Sequence, residues 1–280
     1  MSAVTPLPVA TADGHRFELL AHLPHQPEAA LLWLPALGVA ARHYLPLADA
    51  LAARGIAVFL HEWRGIGSSS LRAGRNTDWG YRELLQHDLP AAEAAVRATA
   101  PGIPLRLGGH SLGGQLACCH AGLHPDAFTA LWLVASGTPW WRGFPAPRRW
   151  LLPSAYRFLP WLAQRRGVLP GRRLGFGGNE ARGLIGDWAR VGLSGRYAAT
   201  GLPADLEAAL HSLALPVDAL LFDADWLAPA GSMHHLLSKM PAAPARLRIM
   251  SGNELGTRAD HFGWMKAPAI VAATLASPSL

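Results

Sequence analysis

Leu105-Arg106-Leu107-Gly108-Gly109-His110-Ser111-Leu112-Gly113-Gly114-Gln115-Leu116-Ala117-Cys118-Cys119-His120-Ala121-Gly122 is the stretch from which the rest of the chain can be read. Pro104 and the short, mostly apolar run after it predict a buried strand. The small, helix-tolerant residues from Gln115 to Ala121, closed by Gly122, predict a helix. Between them stands Gly109-His110-Ser111-Leu112-Gly113, which completes a strand, Gly-x-Ser-x-Gly, helix pattern. A sharp strand-to-helix turn strains its central residue, and flanking glycines let neighbouring backbone approach without a clashing Cβ. Ser111 then sits at a helix N-terminus, where unpaired N–H groups favour developing negative charge. In that context the motif reads as a nucleophile elbow rather than a chance match in a glycine-rich chain.

Outward from this point the chain alternates strand and helix. Ala29-Ala30-Leu31-Leu32-Trp33-Leu34 and Ile56-Ala57-Val58-Phe59-Leu60 are continuous apolar runs, as central strands buried on both faces would be. Arg16–His22 reads as an early, partly exposed strand, and Thr129–Ala135 as the strand after the elbow helix. Tyr44 to Arg54 has helical periodicity with a glycine stop at Gly55. Trp79 to Thr99 is helical by period, with Pro90 expected to kink or split it and Asp88 available as a cap. Alternation returns at Val217–Phe222, then a helix near Gly231 to Lys239, a strand from Ala245 to Met250 and a C-terminal helix. This order implies a mostly parallel sheet with helices on both faces.

The stretch from Pro139 to Gly178 differs in character. It contains no acid, eight arginines (142, 148, 149, 157, 165, 166, 172 and 173) and Trp140, Trp141, Trp150 and Trp161. Helical pattern without strong strands follows from Asn179 to Leu210. Residues 139–212 are therefore expected to form a helical cap or lid inserted into a core of 1–138 and 213–280. The bland expectation is that its arginines are solvated and its tryptophans packed on the core. The sharper one is an affinity for an anionic acyl substrate or an anionic lipid surface.

The chain has 280 residues, 50% of them hydrophobic, enough for a sizeable core and too many for disorder as a whole. Its apolar runs are too short to span a bilayer. Met1-Ser2-Ala3-Val4-Thr5-Pro6 has neither the basic start nor the apolar core of a signal peptide. The two cysteines, Cys118 and Cys119, are adjacent and read as small core-helix residues rather than a stapling disulfide. A cytoplasmic location is expected. A formal charge of +6 and a pI near 10.0 suit nucleic acid. Lysine occurs only at 239 and 266, however, so an arginine-rich coding bias accounts for the charge, and no nucleic-acid motif is present. Gly65-Ile66-Gly67 lacks the third glycine and following helix of a dinucleotide site and reads as a turn after a strand. His234 and His235 show no metal-ligand pattern. No cofactor and no metal is expected.

Four markers together resemble the α/β-hydrolase superfamily, particularly its monoglyceride-lipase-like and serine-aminopeptidase-like branch. They are the elbow, Arg64-Gly65-Ile66-Gly67-Ser68-Ser69, Asp225-Trp226-Leu227-Ala228-Pro229 and Asp260-His261-Phe262-Gly263. The resemblance covers about 16–138 and 214–275. The insertion looks like that of a group of predicted bacterial hydrolases with no settled substrate. The implied triad is Ser111, Asp225 and His261, in the order this fold uses. A serine hydroxyl is a poor nucleophile until a base, held in one tautomer by a carboxylate, takes its proton. His261 stands alone in the loop before the last helix, while His110 points away from the nucleophile by alternation. Asp223 is the alternative carboxylate, but relatives place the following proline at the spacing Asp225 has from Pro229. Asp260 reads as a helix cap. The implied oxyanion donors are the backbone N–H groups of Leu112 and of Leu37, in a loop where Pro35-Ala36 replaces the His-Gly of many relatives. Glu62 stands where relatives often have Asp.

The expected activity is that of a serine hydrolase acting through an acyl-enzyme on a small-molecule ester or related acyl bond. The same groups could instead cleave amides, thioesters or lactones, or transfer the acyl group. On a different reading altogether the fold serves as a ligand receptor or scaffold.

Overall fold

Strands that are apolar at every position must be covered on both faces, and three such strands lie at the centre of this sheet. The computed structural model describes residues 4–175 and 177–277; Met1 to Ala3, read above for a leader, lie outside them. The strands are β1 (Thr5–Ala10), β2 (Arg16–His22), β3 (Ala29–Leu34), β4 (Ile56–Leu60), β5 (Leu105–His110), β6 (Leu131–Val134), β7 (Leu169–Pro170), β8 (Asn179–Glu180), β9 (Val217–Phe222) and β10 (Ala245–Met250). Eight of them form one sheet in the order β1-β2-β4-β3-β5-β6-β9-β10, and β7 and β8 form a separate two-residue ladder. From β4 to β10 the neighbours run parallel, with β1 and β2 antiparallel at one edge. This is the α/β-hydrolase fold.

Side chains along β3 alternate between the two covering layers, which is what a fully buried strand requires. Ala30, Leu32 and Leu34 join the core under the elbow helix Leu112–Leu123, while Leu31 and Trp33 join the core under the helices Leu45–Ala52 and Pro268–Ala276. Cys118 and Cys119 are buried, unpaired residues of the elbow helix.

Strand β1 has no counterpart among the expected strands; it carries Pro6 and Pro8 and lies at the sheet edge, where alternate amides face away from the partner and proline is tolerated. Three sequence expectations need correction. The helix expected over Trp79–Thr99 is a single turn at Tyr81–Glu83, a π-turn at Leu84–Asp88 and a helix at Leu89–Thr99 with Pro90 in its first turn. Asp88 caps nothing. Its buried carboxylate takes two hydrogen bonds from Arg64, Nε to Oδ2 at 2.8 Å and Nη2 to Oδ1 at 2.7 Å, and faces His15 Nδ1 at 3.1 Å. Finally, the strand expected at Thr129–Ala135 is confined to Leu131–Val134.

Between β6 and β9 the chain leaves the sheet. This segment carries a long helix, Arg148–Arg166, and the helices Arg182–Ser194 and Leu206–His211. Of its arginine-rich part, Trp140 and Trp141 are half-buried while Trp150 and Trp161 are exposed, so the expected packing of all four tryptophans on the core does not occur.

Candidate active site

Strand β5 runs directly into the elbow helix, and Ser111 makes the turn with φ 55° and ψ −120°, a conformation L-residues rarely adopt. The glycines around it are needed for space. A Cβ on Gly109 would lie 2.4 Å from the Gly113 carbonyl carbon, and one on Gly113 would lie 2.1 Å from the Leu34 carbonyl oxygen. The Ser111 N–H donates to Val134 O at 3.1 Å, and Ser136 Oγ donates to Ser111 O at 2.8 Å. The strained residue is thus held from both sides by β6 and the residues after it.

The loops at the carboxyl ends of β9 and β10 bring the other two groups together. His261 Nδ1 and Asp225 Oδ2 are 2.8 Å apart, both residues buried. The second carboxylate oxygen, Oδ1, accepts N–H bonds from Leu227 at 2.8 Å and Ala228 at 3.1 Å. Asp223, by contrast, is exposed. With an ionised Asp225, the proton of a neutral His261 belongs on Nδ1, leaving Nε2 as the basic nitrogen. Trp264, fully buried, donates its indole N–H to His261 O at 3.0 Å and fixes the loop. Asp260 accepts from the N–H groups of Phe262 and Gly263 at 3.2 and 2.7 Å, so it caps the short turn Gly263–Lys266 and not the last helix.

Ser111, Leu112, Ala36, Leu37 and His261 all line one cavity of about 340 Å³. Its remaining walls are mostly apolar and include Phe144, Leu152, Leu159, Trp188, Trp226 and Leu227. Among the described residues that line it there is no arginine, lysine or carboxylate.

The loop after β3 is pinned by groups that the sequence reading passed over. Tyr44 OH accepts the Ala36 N–H at 2.9 Å and so has its own proton to give to His110 Nδ1, 2.8 Å away. Trp63 donates its indole N–H to Pro35 O at 2.8 Å. With Ala36 N–H engaged, Leu37 offers the next amide along the loop, and that amide has no hydrogen-bond partner among the described residues. The His110 ring packs against Tyr44 and Trp264 and lies 4.8 Å from that of His261. Burial, and then the neighbouring His261, push its pKa well below the ordinary histidine value, so it packs there as a neutral ring. Periodicity marks Tyr44 only as an apolar helix position. No sequence signal announced its hydroxyl bridge.

Glu62 accepts the Ala41 N–H at 3.0 Å, and a Cβ on Gly67 would lie 1.8 Å from its Oε2. Arg64 and Ser69, the buried ends of the Arg64–Ser69 motif, belong to a polar cluster. Besides Asp88, Arg64 reaches Asp13 at 2.7 Å, and His15 Nε2 meets Ser69 Oγ at 2.9 Å. These groups brace the turn after β4, on which Trp63 rides.

Comparison with known proteins agrees with this fold. Over 111 residues the chain is 31% identical to a monoglyceride lipase homologue of monkeypox virus, covering 39% of this chain and only 38% of that protein. Solved structures share the fold over nearly the whole length. A lipase in its open form superposes with a TM-score of 0.67 at 16% identity, covering 98% of this chain and 97% of that one. The esterase domain of a Rhodothermus marinus protein gives 0.62 at 18%, covering 98% and 96%. The thioesterase domain of the curacin biosynthetic pathway gives 0.61 at 18%, covering 99% and 100%. The family model of the serine aminopeptidases S33, Hydrolase_4, matches residues 25–178, more than half of the chain, and the chain belongs to that family of α/β-hydrolases.

Proposed function

We propose that the protein is a serine hydrolase that cleaves esters of uncharged, apolar acyl groups through an acyl-enzyme. One observation carries the reading: a strained serine at a helix N-terminus opens into the same apolar cavity as a histidine whose Nδ1 is held by a buried carboxylate. In this mechanism His261 Nε2 takes the Ser111 proton as Oγ attacks the acyl carbon. The N–H groups of Leu112 and Leu37 receive the tetrahedral oxyanion. The proton passes from His261 to the leaving alcohol, and water then repeats the cycle to release the acid. Asp225 keeps His261 in the productive tautomer and stabilises the imidazolium that forms.

The segment 139–212 acts as the cap of this site, since Leu152, Ala155, Tyr156 and Leu159 of its long helix line the cavity. The absence of charged walls favours an uncharged acyl group over an anionic one, because an unpaired charge there would lose its hydration. At about 340 Å³ the cavity lies at the lower end of the range for small-molecule sites, roughly 300–1,000 Å³. Hydrolysis of p-nitrophenyl esters of increasing chain length tests this. Short and medium acyl chains should be turned over by the wild type and not by Ser111→Ala. A clear preference for dicarboxylic half-esters, or equal turnover by the variant, would contradict the proposal.

A further inference from the structure

The helix Arg148–Arg166 has an inner face, Leu152, Ala155, Tyr156 and Leu159, at the i, i+3, i+4, i+7 spacing of a buried stripe. A helix packed on one such face normally presents polar residues on the other. This one does not. Trp150, Leu151, Phe158 and Trp161 are 59, 71, 51 and 52% exposed, and the rings of Phe158 and Trp161 lie 5.6 Å apart.

The arginines of the same segment frame these side chains. The guanidinium of Arg149 lies 4.7 Å from the Trp150 ring, that of Arg165 5.5 Å from Trp161, and that of Arg148 5.2 Å from Trp226. Trp226 is itself half exposed and lines the cavity, so the face is continuous with the cavity mouth. None of the eight arginines between Pro139 and Gly178 makes a salt bridge among the described residues.

We propose that this outer helix face docks on an anionic phospholipid surface. Trp150, Leu151, Phe158 and Trp161 enter the boundary between headgroups and acyl chains, and the flanking arginines meet lipid phosphates. Contiguous exposed apolar side chains mark an interaction surface, and the unpaired positive charge around them selects what can cover it. A second copy of the same face would set arginines against arginines. Nucleic acid would meet the arginines and aromatic rings but gain nothing from Leu151. An anionic bilayer satisfies both components, because it offers phosphate at the level of the guanidinium groups and hydrocarbon just beneath. Among the described residues no helix is long and apolar enough to cross a membrane, so the contact is one of lying on the surface.

The test is co-sedimentation of the Ser111→Ala protein with vesicles, so that binding is read without turnover and independently of the hydrolase reading. Vesicles of phosphatidylcholine mixed with phosphatidylglycerol should bind the protein, and phosphatidylcholine alone should not. Binding should fade as salt shortens the Debye length from about 30 Å at 0.01 M to about 3 Å at 1 M. Each of Arg157→Gln and Arg165→Gln should weaken it by about fivefold at low salt. The double variant Trp150→Ala/Trp161→Ala, altered only at exposed positions, should weaken it by roughly tenfold or more. Tryptophan emission should shift to the blue on binding, and the shift should vanish in that double variant. Binding that is equal on neutral and anionic vesicles, flat in salt, or unchanged in these variants would overturn the proposal. So would a dimer that buries the same residues in place of vesicle binding, or a preference for a single-stranded oligonucleotide over the vesicles.

Discussion

Asp223 and Asp225 sit two residues apart on the loop after β9, and only the second is buried against His261 Nδ1. Losing that carboxylate would let His261 take the wrong tautomer, a change that costs about 10⁴ in turnover in serine proteases. Asp225→Asn should therefore lower kcat by about that factor with little change in fold. Asp223→Asn should stay within a few-fold of wild type. The two variants compared by p-nitrophenyl ester hydrolysis check this, and a larger loss for Asp223→Asn would move the orienting role. At this scale the residues that the structure gathers at the cavity, Ser111 and His261 with Asp225 behind it, were legible in the motifs that carry the resemblance. The supports were not. Tyr44, Trp63 and Ser136 act through hydrogen bonds that join segments far apart in sequence, and neither periodicity nor spacing encodes such pairings.

At the scale of elements, the elbow and the loop after β3 are set by close backbone approach. Gly38, at φ 76°, faces the Gly177–Gly178 backbone so closely that a Cβ on it would lie 2.2 Å from Gly178 N. Gly178 in turn donates its N–H to the buried Glu180 at 2.6 Å. Desolvation raises the Glu180 carboxyl from 4.5 to about 7. Between those values the folded protein holds a proton that the unfolded chain has released, so this group makes stability fall as pH rises through the window, and the loss is complete above pH 7. Glu180→Gln removes the titration but keeps an acceptor for Gly178. Relative to wild type, the variant should gain up to about 3 kcal/mol between pH 4.5 and pH 8, the equivalent of 2.5 units at 1.36 kcal/mol each. Urea unfolding at both pH values measures this, and a difference independent of pH would exclude the buried carboxyl as the source. Elements with one strong period, such as β3 and β4, were legible. β1, with Pro6 and Pro8 in six residues, carries no such period, and the π-turn Leu84–Asp88 was hidden by a helical pattern that continues through it.

For the whole molecule, apolar runs and their order were enough to specify a parallel sheet, because a strand buried on both faces has few other places to go. The packing of the inserted segment was not legible. Its tryptophans read as core by composition, yet two of them stand in solvent on a helix whose other face lines the cavity. The two faces give the molecule its arrangement: an apolar cavity inside, and an arginine-rimmed aromatic surface beside its mouth. Ser111 is proposed as the activated nucleophile of this cavity. Reaction with a fluorophosphonate, followed by digestion and mass mapping, tests it most directly. A single adduct is expected on the peptide carrying Ser111, abolished in Ser111→Ala while circular dichroism is unchanged. No adduct on the folded wild type, or one that persists in the variant, would contradict it.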